Sequence, residues 1–162
     1  SDWEKDDWLK ALNSNMLTPI ALIKAVLPGM IEKKWGRIVN ITSQSVKSPI
    51  PVLGLSNSAR AGLTGFVAGT SRQVAGSGVT INNLLPERIE TDRLRYMTDK
   101  LAKHKGISLA QAREEMLCPI PAGRFGRPEE LAAACIFLCS QQAGYITGQN
   151  LQLDGGAYSG LI

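Results

Sequence analysis

The run GRFGRPEELAAACIFLCSQQAGYITGQNLQLDGG, residues 123–156, makes the strongest structural statement in this 162-residue sequence. Pro128 suits a first helical position, where an N–H has no partner to lose. Glu129 and Glu130 follow it at the positive end of the helix dipole. Leu131, Cys135 and Leu138 then supply one apolar face, which predicts a helix over 128–140. GRFGRP reads as a 3₁₀ or loop lead-in. Residues 149–153 read as a strand, stopped by Asp154-Gly155-Gly156.

The same alternation extends back toward the N-terminus. VTINNLL (79–85) and RIVNIT (37–42) are short β-branched runs and predict two more strands. Between them a helix is expected over 55–75, closed by Gly76 and Gly78. Ahead of them, residues 4–34 place Trp8, Leu12, Met16, Ile20, Ile23, Leu27 and Ile31 on one helical face. Pro19 and Pro28 lie inside that helix and deprive the carbonyls of Asn15 and Lys24 of their partners. The polar segment 86–121 holds two short helices, 92–104 and 108–117. Strands separated by crossover-length helices imply a parallel sheet covered on both faces, hence an α/β class.

Hydrophobic residues make up 44% and charged residues 20%, the composition of one ordinary globular domain spanning 1–162. By inspection no apolar run reaches the roughly 18–20 residues of a bilayer span, so no membrane association is expected. Cys118, Cys135 and Cys139 form no CxxC and read as reduced thiols, consistent with the cytoplasm, with Cys135 and Cys139 filling a helix face. Net charge is a mild +4. The densest basic stretch, 93–105, lacks a nucleic-acid motif or interleaved aromatics and reads as a solvated helix, with His104, the one histidine, given no catalytic part. One histidine and scattered carboxylates suggest no metal site. Ala61, Gly65 and Gly69 recur at helical spacing, and Gly costs about 1 kcal/mol in a helix relative to Ala. The row predicts close packing, either within the chain or against a helix of a second subunit.

Residues 54–62, GLSNSARAG, pose the functional question. Ser56, Asn57 or Ser58 could be a plain N-cap. Alternatively, two hydroxyls, an amide and a guanidinium in one turn are a reaction centre with exchanged residues.

Taken together, GRIVNITS, the Asn15 of WLKALNSNMLT, INNLLPERIETDRL and the closing run resemble the C-terminal part of the short-chain dehydrogenase/reductase family, the group containing the 3-oxoacyl-carrier-protein reductases. The resemblance covers nearly the whole chain. It implies part of a Rossmann-type doubly wound sheet with three parallel strands, NAD or NADP as cofactor, a small carbonyl or hydroxyl substrate, and a homo-oligomer (dimer or tetramer) built through helices 4–34 and 55–75 and the C-terminal segment. It also implies a catalytic Ser at Ser43, a water-holding Asn at Asn15, and cofactor contacts at Pro86, Glu87, Ile89 and Thr91.

Two departures follow. No Gly-rich phosphate loop after a strand is found, so the βαβ half that binds pyrophosphate and adenosine is expected to be missing, and this chain alone is not expected to bind the dinucleotide. The strand 37–42 would then be an open edge. The second departure concerns residues 54–62. The family places Tyr thirteen residues after its Ser and Lys four later; here those positions are Ser56 and Arg60. A phenol near pKa 10 beside a cation is a serviceable acid, and an aliphatic hydroxyl is not. Arg keeps the charge but presents a planar fork in place of a compact ammonium. Glu87 stands where the family has Gly and brings a negative charge toward an anionic cofactor. The expectation is a degenerate oxidoreductase site or, alternatively, a non-catalytic relative serving binding or oligomerisation.

Overall fold

The computed structural model describes residues 3–161. The long first helix is continuous from Lys5 to Glu32 but changes character midway. α1 (Lys5–Leu12) passes into a π-helical turn, Asn13–Leu17, and then into α2 (Thr18–Glu32). Thr18 donates its N–H to the Asn13 carbonyl, five residues back, immediately before Pro19. The wider turn stands where Pro19 cannot supply an ordinary helical bond. Lys34, in the left-handed region at φ 52°, ends the run, and the Trp35 N–H donates to the Met30 carbonyl.

β1 (Gly36–Ile41) is followed by two 3₁₀ turns, Gln44–Val46 and Pro51–Leu53, and then α3 (Gly54–Val74). α3 opens at Gly54 with Leu53 as N-cap, so none of Ser56, Asn57 and Ser58 caps it. A Cβ at Gly54 would run into the Trp3 indole, so glycine lets the helix begin beneath that ring. Asn57 instead donates to the Ile50 carbonyl at 2.8 Å, tying down the preceding loop. β2 (Val79–Pro86), α4 (Asp92–Lys105), α5 (Leu109–Leu117), α6 (Pro128–Cys139) and β3 (Asn150–Leu153) complete the chain.

The sheet has order β1-β2-β3, all parallel, with β1 at an edge. On one face Ile23, Leu27, Leu63 and Val67 of α2 and α3 pack on Val79 and Ile81. On the other, Leu138 and Ala143 meet Leu84, with Val39, Leu131 and Cys135 beside them. Cys139, expected on this apolar face, is exposed, whereas Cys135, one turn earlier, packs against the cluster. A separate cluster of Leu94, Met116, Ile120 and Phe125 joins α4 and α5 to the GRFGRP turn.

The first helix is apolar on two faces. Ile23 and Leu27 are buried, whereas Leu9, Leu17, Leu22 and Val26 are exposed. By length and composition Lys5–Glu32 is therefore long and apolar enough to cross a membrane, contrary to the expectation from sequence. The reason is that moderately apolar residues on both faces add up without forming one uninterrupted run. Its inner face belongs to the core just described.

β2 is buried along Val79–Leu85 and carries two polar residues inside, Asn82 and Asn83. Asn40 donates to the Asn83 side-chain oxygen at 3.0 Å, and Asn83 donates to that of Asn150 at 2.8 Å. These three residues are register partners, so one amide ladder crosses every strand. Asn83→Ala removes the central donor and acceptor and should lower unfolding stability by about 2–4 kcal/mol. The urea midpoint should fall accordingly, while Gln73→Ala on the exposed face of α3 leaves it near the parent value.

Candidate active site

The carboxyl ends of parallel strands are where doubly wound sheets hold ligands. Here Ser43 follows β1, Glu87 follows β2 and Asp154 follows β3. Ser43 Oγ accepts the Ser45 N–H at 3.1 Å, capping the turn Gln44–Val46, which rests against α3. The cap uses the oxygen and leaves the hydroxyl hydrogen available.

Ser56 and Arg60 sit one turn apart at the start of α3. Arg60 Nε donates to Ser56 Oγ at 3.0 Å. The plain N-cap interpretation of residues 54–62 therefore gives way to a bonded hydroxyl–guanidinium pair on one helical face. Arg60 also lines a cavity of about 570 Å³ together with Asn15, Pro19, Asn40 and Thr42. Burial lowers the Arg60 pKa from its ordinary value, and the neighbouring Arg93 charge adds to the effect. Asn15 donates its side-chain amide to the Ala11 carbonyl at 3.2 Å, so its side chain is turned back along the helix. Its own carbonyl has no N–H to receive from Pro19.

The residues expected on the cofactor side lie elsewhere. Ile89 forms an isolated parallel bridge with Gly126 and lines a second cavity of about 200 Å³, shared with Arg88, Arg124, Glu130 and Asp154. A Cβ at Gly126 would press on the Ile89 side chain, which explains the glycine in GRFGRP. Pro86 ends β2, and Glu87 donates its N–H to the Leu153 carbonyl. The Glu87 carboxylate pairs with Arg88 at 2.9 Å and its side chain is only 14% exposed. Burial pushes that carboxyl up, Arg88 pulls it down, and Asp154 raises it again. Thr91 is the exposed N-cap residue of α4, with only a 3.4 Å contact from its hydroxyl to the Ile89 carbonyl. Asn15 and Arg60 thus share one cavity with Ser56 bonded to Arg60, whereas Ile89 lines another.

Sequence reasoning missed Arg93, which belongs to a stretch interpreted only as a solvated helix. Several basic residues of that helix do pair locally: Arg95 with Asp92, Lys103 with Asp99, and Lys105 with Glu115 on α5. It also missed Arg88 as the partner that neutralises Glu87. Adjacency in sequence was the available signal.

These features define a parallel α/β domain with its candidate site at the carboxyl edge of the sheet. The chain matches the family model described as enoyl-(acyl carrier protein) reductase over residues 1–158. It is 41% identical over 156 residues to the 3-oxoacyl-[acyl-carrier-protein] reductase FabG of Vibrio harveyi, covering 94% of this chain and 58% of that protein. The Escherichia coli K12 protein of the same name is 37% identical over 155 residues, with 94% and 58% covered. The solved structure of YwfH, an NADPH dependent reductase involved in bacilysin biosynthesis, superposes with a TM-score of 0.92 at 30% identity, covering 99% of this chain and 61% of that one. A putative gluconate dehydrogenase from Agrobacterium tumefaciens shares the fold, with a TM-score of 0.85 at 24% identity. The chain belongs to the short-chain dehydrogenase/reductase family, on its 3-oxoacyl-carrier-protein reductase-like side. It spans a little under three-fifths of the length of the curated relatives it matches.

The closing motif supplies a pH test. Glu130 accepts two bonds from Arg124, at 2.7 and 2.8 Å, and one from the Arg127 N–H at 2.8 Å. These bonds hold its carboxyl down at about 2, from an ordinary 4.5. A depressed carboxylate stabilises the fold above its unfolded pKa, and that stability drains as pH falls toward the folded value. Melting temperature should therefore drop between pH 4.5 and about 2, and Glu130→Gln should flatten this part of the acid limb.

Proposed function

We propose that this chain forms the substrate-side part of an NAD(P)-dependent oxidoreductase for a carbonyl or hydroxyl substrate, with the usual proton donor exchanged and turnover correspondingly weak. The observation carrying this reading is the 3.0 Å bond from Arg60 Nε to Ser56 Oγ, at the two positions where the family has its cation and its phenol. Three unpaired cysteines suit a reducing cytoplasm.

The residues present fit the nicotinamide end of the cofactor. Pro86, Ile89 and Thr91 would hold it, and the Thr91 hydroxyl has only one long contact to give up. Glu87 opposes an anion less than its charge suggests, because Arg88 already neutralises it. When bound, the nicotinamide supplies or accepts the hydride at the carbonyl carbon. Ser43 can donate its hydroxyl hydrogen to the carbonyl oxygen. The Asn15 carbonyl, free of Pro19, can hold a water. Ser56 offers an aliphatic hydroxyl whose oxygen already accepts from Arg60, so it is a poor acid for the developing alkoxide. Losing one general acid costs about 10²–10⁴ in rate, roughly 3–5 kcal/mol.

With the front half of a relative fused ahead of residue 1, reduction of ordinary carbonyl substrates should be very slow. Ser56→Tyr combined with Arg60→Lys should raise kcat by about 10²–10⁴, and neither change alone should do as well. Turnover at ordinary dehydrogenase rates, untouched by Ser56→Ala, would sink the assignment.

A second reading, a module for oligomerisation, draws on the outer faces of the first helix and α3. Ala61, Gly65 and Gly69 point outward, and a Cβ at Gly65 or Gly69 meets nothing within 4 Å. Leu22 is 64% and Val26 44% exposed on the neighbouring helix. A two-fold contact here brings small residues and apolar side chains of two copies together. Gly65→Leu should fold normally, since its own chain leaves room, and should shift sedimentation toward monomer. An unchanged profile would count against this interface.

A further inference from the structure

Cys135 and Cys139 stand one turn apart at the end of α6, and their side chains meet. Four residues along a helix put two Cβ atoms about 5–6 Å apart on one face. Across that gap the Cys139 thiol is hydrogen-bonded to that of Cys135. The two sulfurs lie in different surroundings. Cys135 packs beside Leu131 and Ala134 against the cluster of Leu84, Leu138 and Ala143. Cys139 is exposed and is the last residue of the helix, since Ser140 after it is already extended at φ −81° and ψ 171°. Burial pushes the Cys135 thiol up from its ordinary value, and the Cys139 sulfur beside it pushes it further. A disulfide brings its Cβ atoms to about 3.5–4.5 Å, closer than helical spacing allows, so an intact α6 keeps the pair as a dithiol. Ser43, Ser56 and Arg60 have no part in it: α6 covers the face of the sheet opposite α3.

We propose that Cys135 and Cys139 form a two-thiolate site for a soft monovalent cation, cuprous ion in particular, at the C-terminal end of α6. The donor set selects the metal. Among the described residues no group of three His, Cys, Asp or Glu side chains comes together. Zinc takes four protein ligands in a structural site and three in an open one, so two sulfurs underserve it. Cuprous ion favours thiolate sulfur and is held stably by two donors in line. The step balances as one cuprous ion and two thiols giving a bis-thiolate complex of net charge −1 and two released protons. Cys139 supplies the entry path, and its exposed side chain can turn to widen the pair and admit the ion. Cys135, held in apolar packing, fixes the position of the second sulfur. A search of the sequence for histidines and clustered carboxylates passes over such a site, because its two ligands are thiols brought together only by the helical turn.

The test is anaerobic titration of the reduced 162-residue chain with cuprous ion against a competing chromogenic chelator, with zinc ion in a separate arm and native mass giving the stoichiometry. One cuprous ion per chain is expected. Cys139→Ser should weaken binding about a hundredfold or more, and Cys135→Ser by a similar factor. Cys118→Ser, which removes an exposed thiol outside α6, should leave the affinity unchanged. Cys139 is exposed, so its variant decides the matter even if Cys135→Ser fails to fold. Near neutral pH the affinity should rise about a hundredfold per pH unit, the mark of two displaced protons, against about tenfold for a single thiol. Unaltered affinity in Cys139→Ser would overturn the proposal. So would an equal loss in Cys118→Ser, a tenfold pH slope, one cuprous ion shared between two chains, zinc held as tightly as copper, or no competition with the chelator at all. Turnover plays no part in this titration, so its outcome is independent of the rate experiment on Ser56 and Arg60.

Discussion

Two adjacent amides buried in the central strand hold the molecule in register. Asn82 and Asn83 are both fully buried in β2. Asn83 ties β2 to both neighbours through Asn40 and Asn150. Asn82, on the opposite face, donates to the Ile146 carbonyl at 2.8 Å and accepts the Gln149 N–H at 3.0 Å. A slip of either outer strand would strand these groups without partners in a dry interior, a cost of about 1–3 kcal/mol for each. Aliphatic packing alone would tolerate such a slip more readily, because contacts among Ile81, Leu84 and their neighbours are not directional.

The site inherits its geometry from that register. With the three strands aligned, the turns after β1, β2 and β3 come to one edge, bringing Ser43, Glu87 and Asp154 to the same end of the sheet. α3 then lies across β2, with Leu63 and Val67 in the core and Ser56 and Arg60 at its N-terminal end near the carboxyl edge. The buried face of α3 is what aims Arg60 at the large cavity. Its outer face, with Gly65 and Gly69 uncovered, is left over from the same packing. Rotating the helix to hide the glycines would expose Leu63 and Val67.

Much of this was legible before any fold was known. The three strands and the helices between them lie within about two residues of their expected limits, because each is marked by a local signal: β-branched runs for strands, Pro128 and paired glutamates for α6, Gly78 in the left-handed region at φ 73° for the turn into β2. The cap of α3 was less legible than its start. Ser56, Asn57 and Ser58 offer capping groups, but the helix opens two residues earlier at Gly54, where the absence of a Cβ leaves room for the Trp3 ring, some fifty residues away in sequence. The π turn was half legible: Pro19 marked the disturbance, but a missing N–H does not by itself say that the turn before it widens to a five-residue bond.

The sequence by itself determined the element order, the α/β class and the family, since each of these rests on residue identity and spacing along the chain; the same spacing supports the proposed exchange of a phenol and an ammonium for Ser56 and Arg60. Only the tertiary structure decided how those groups are partnered. Whether Glu87 opposes a bound anion depends on Arg88 folding onto it, and whether Arg60 is neutralised depends on which carboxylates the packing brings near, among the described residues none. Charge pairing and desolvation act through space, over distances of a few ångströms that bear no fixed relation to position in the chain.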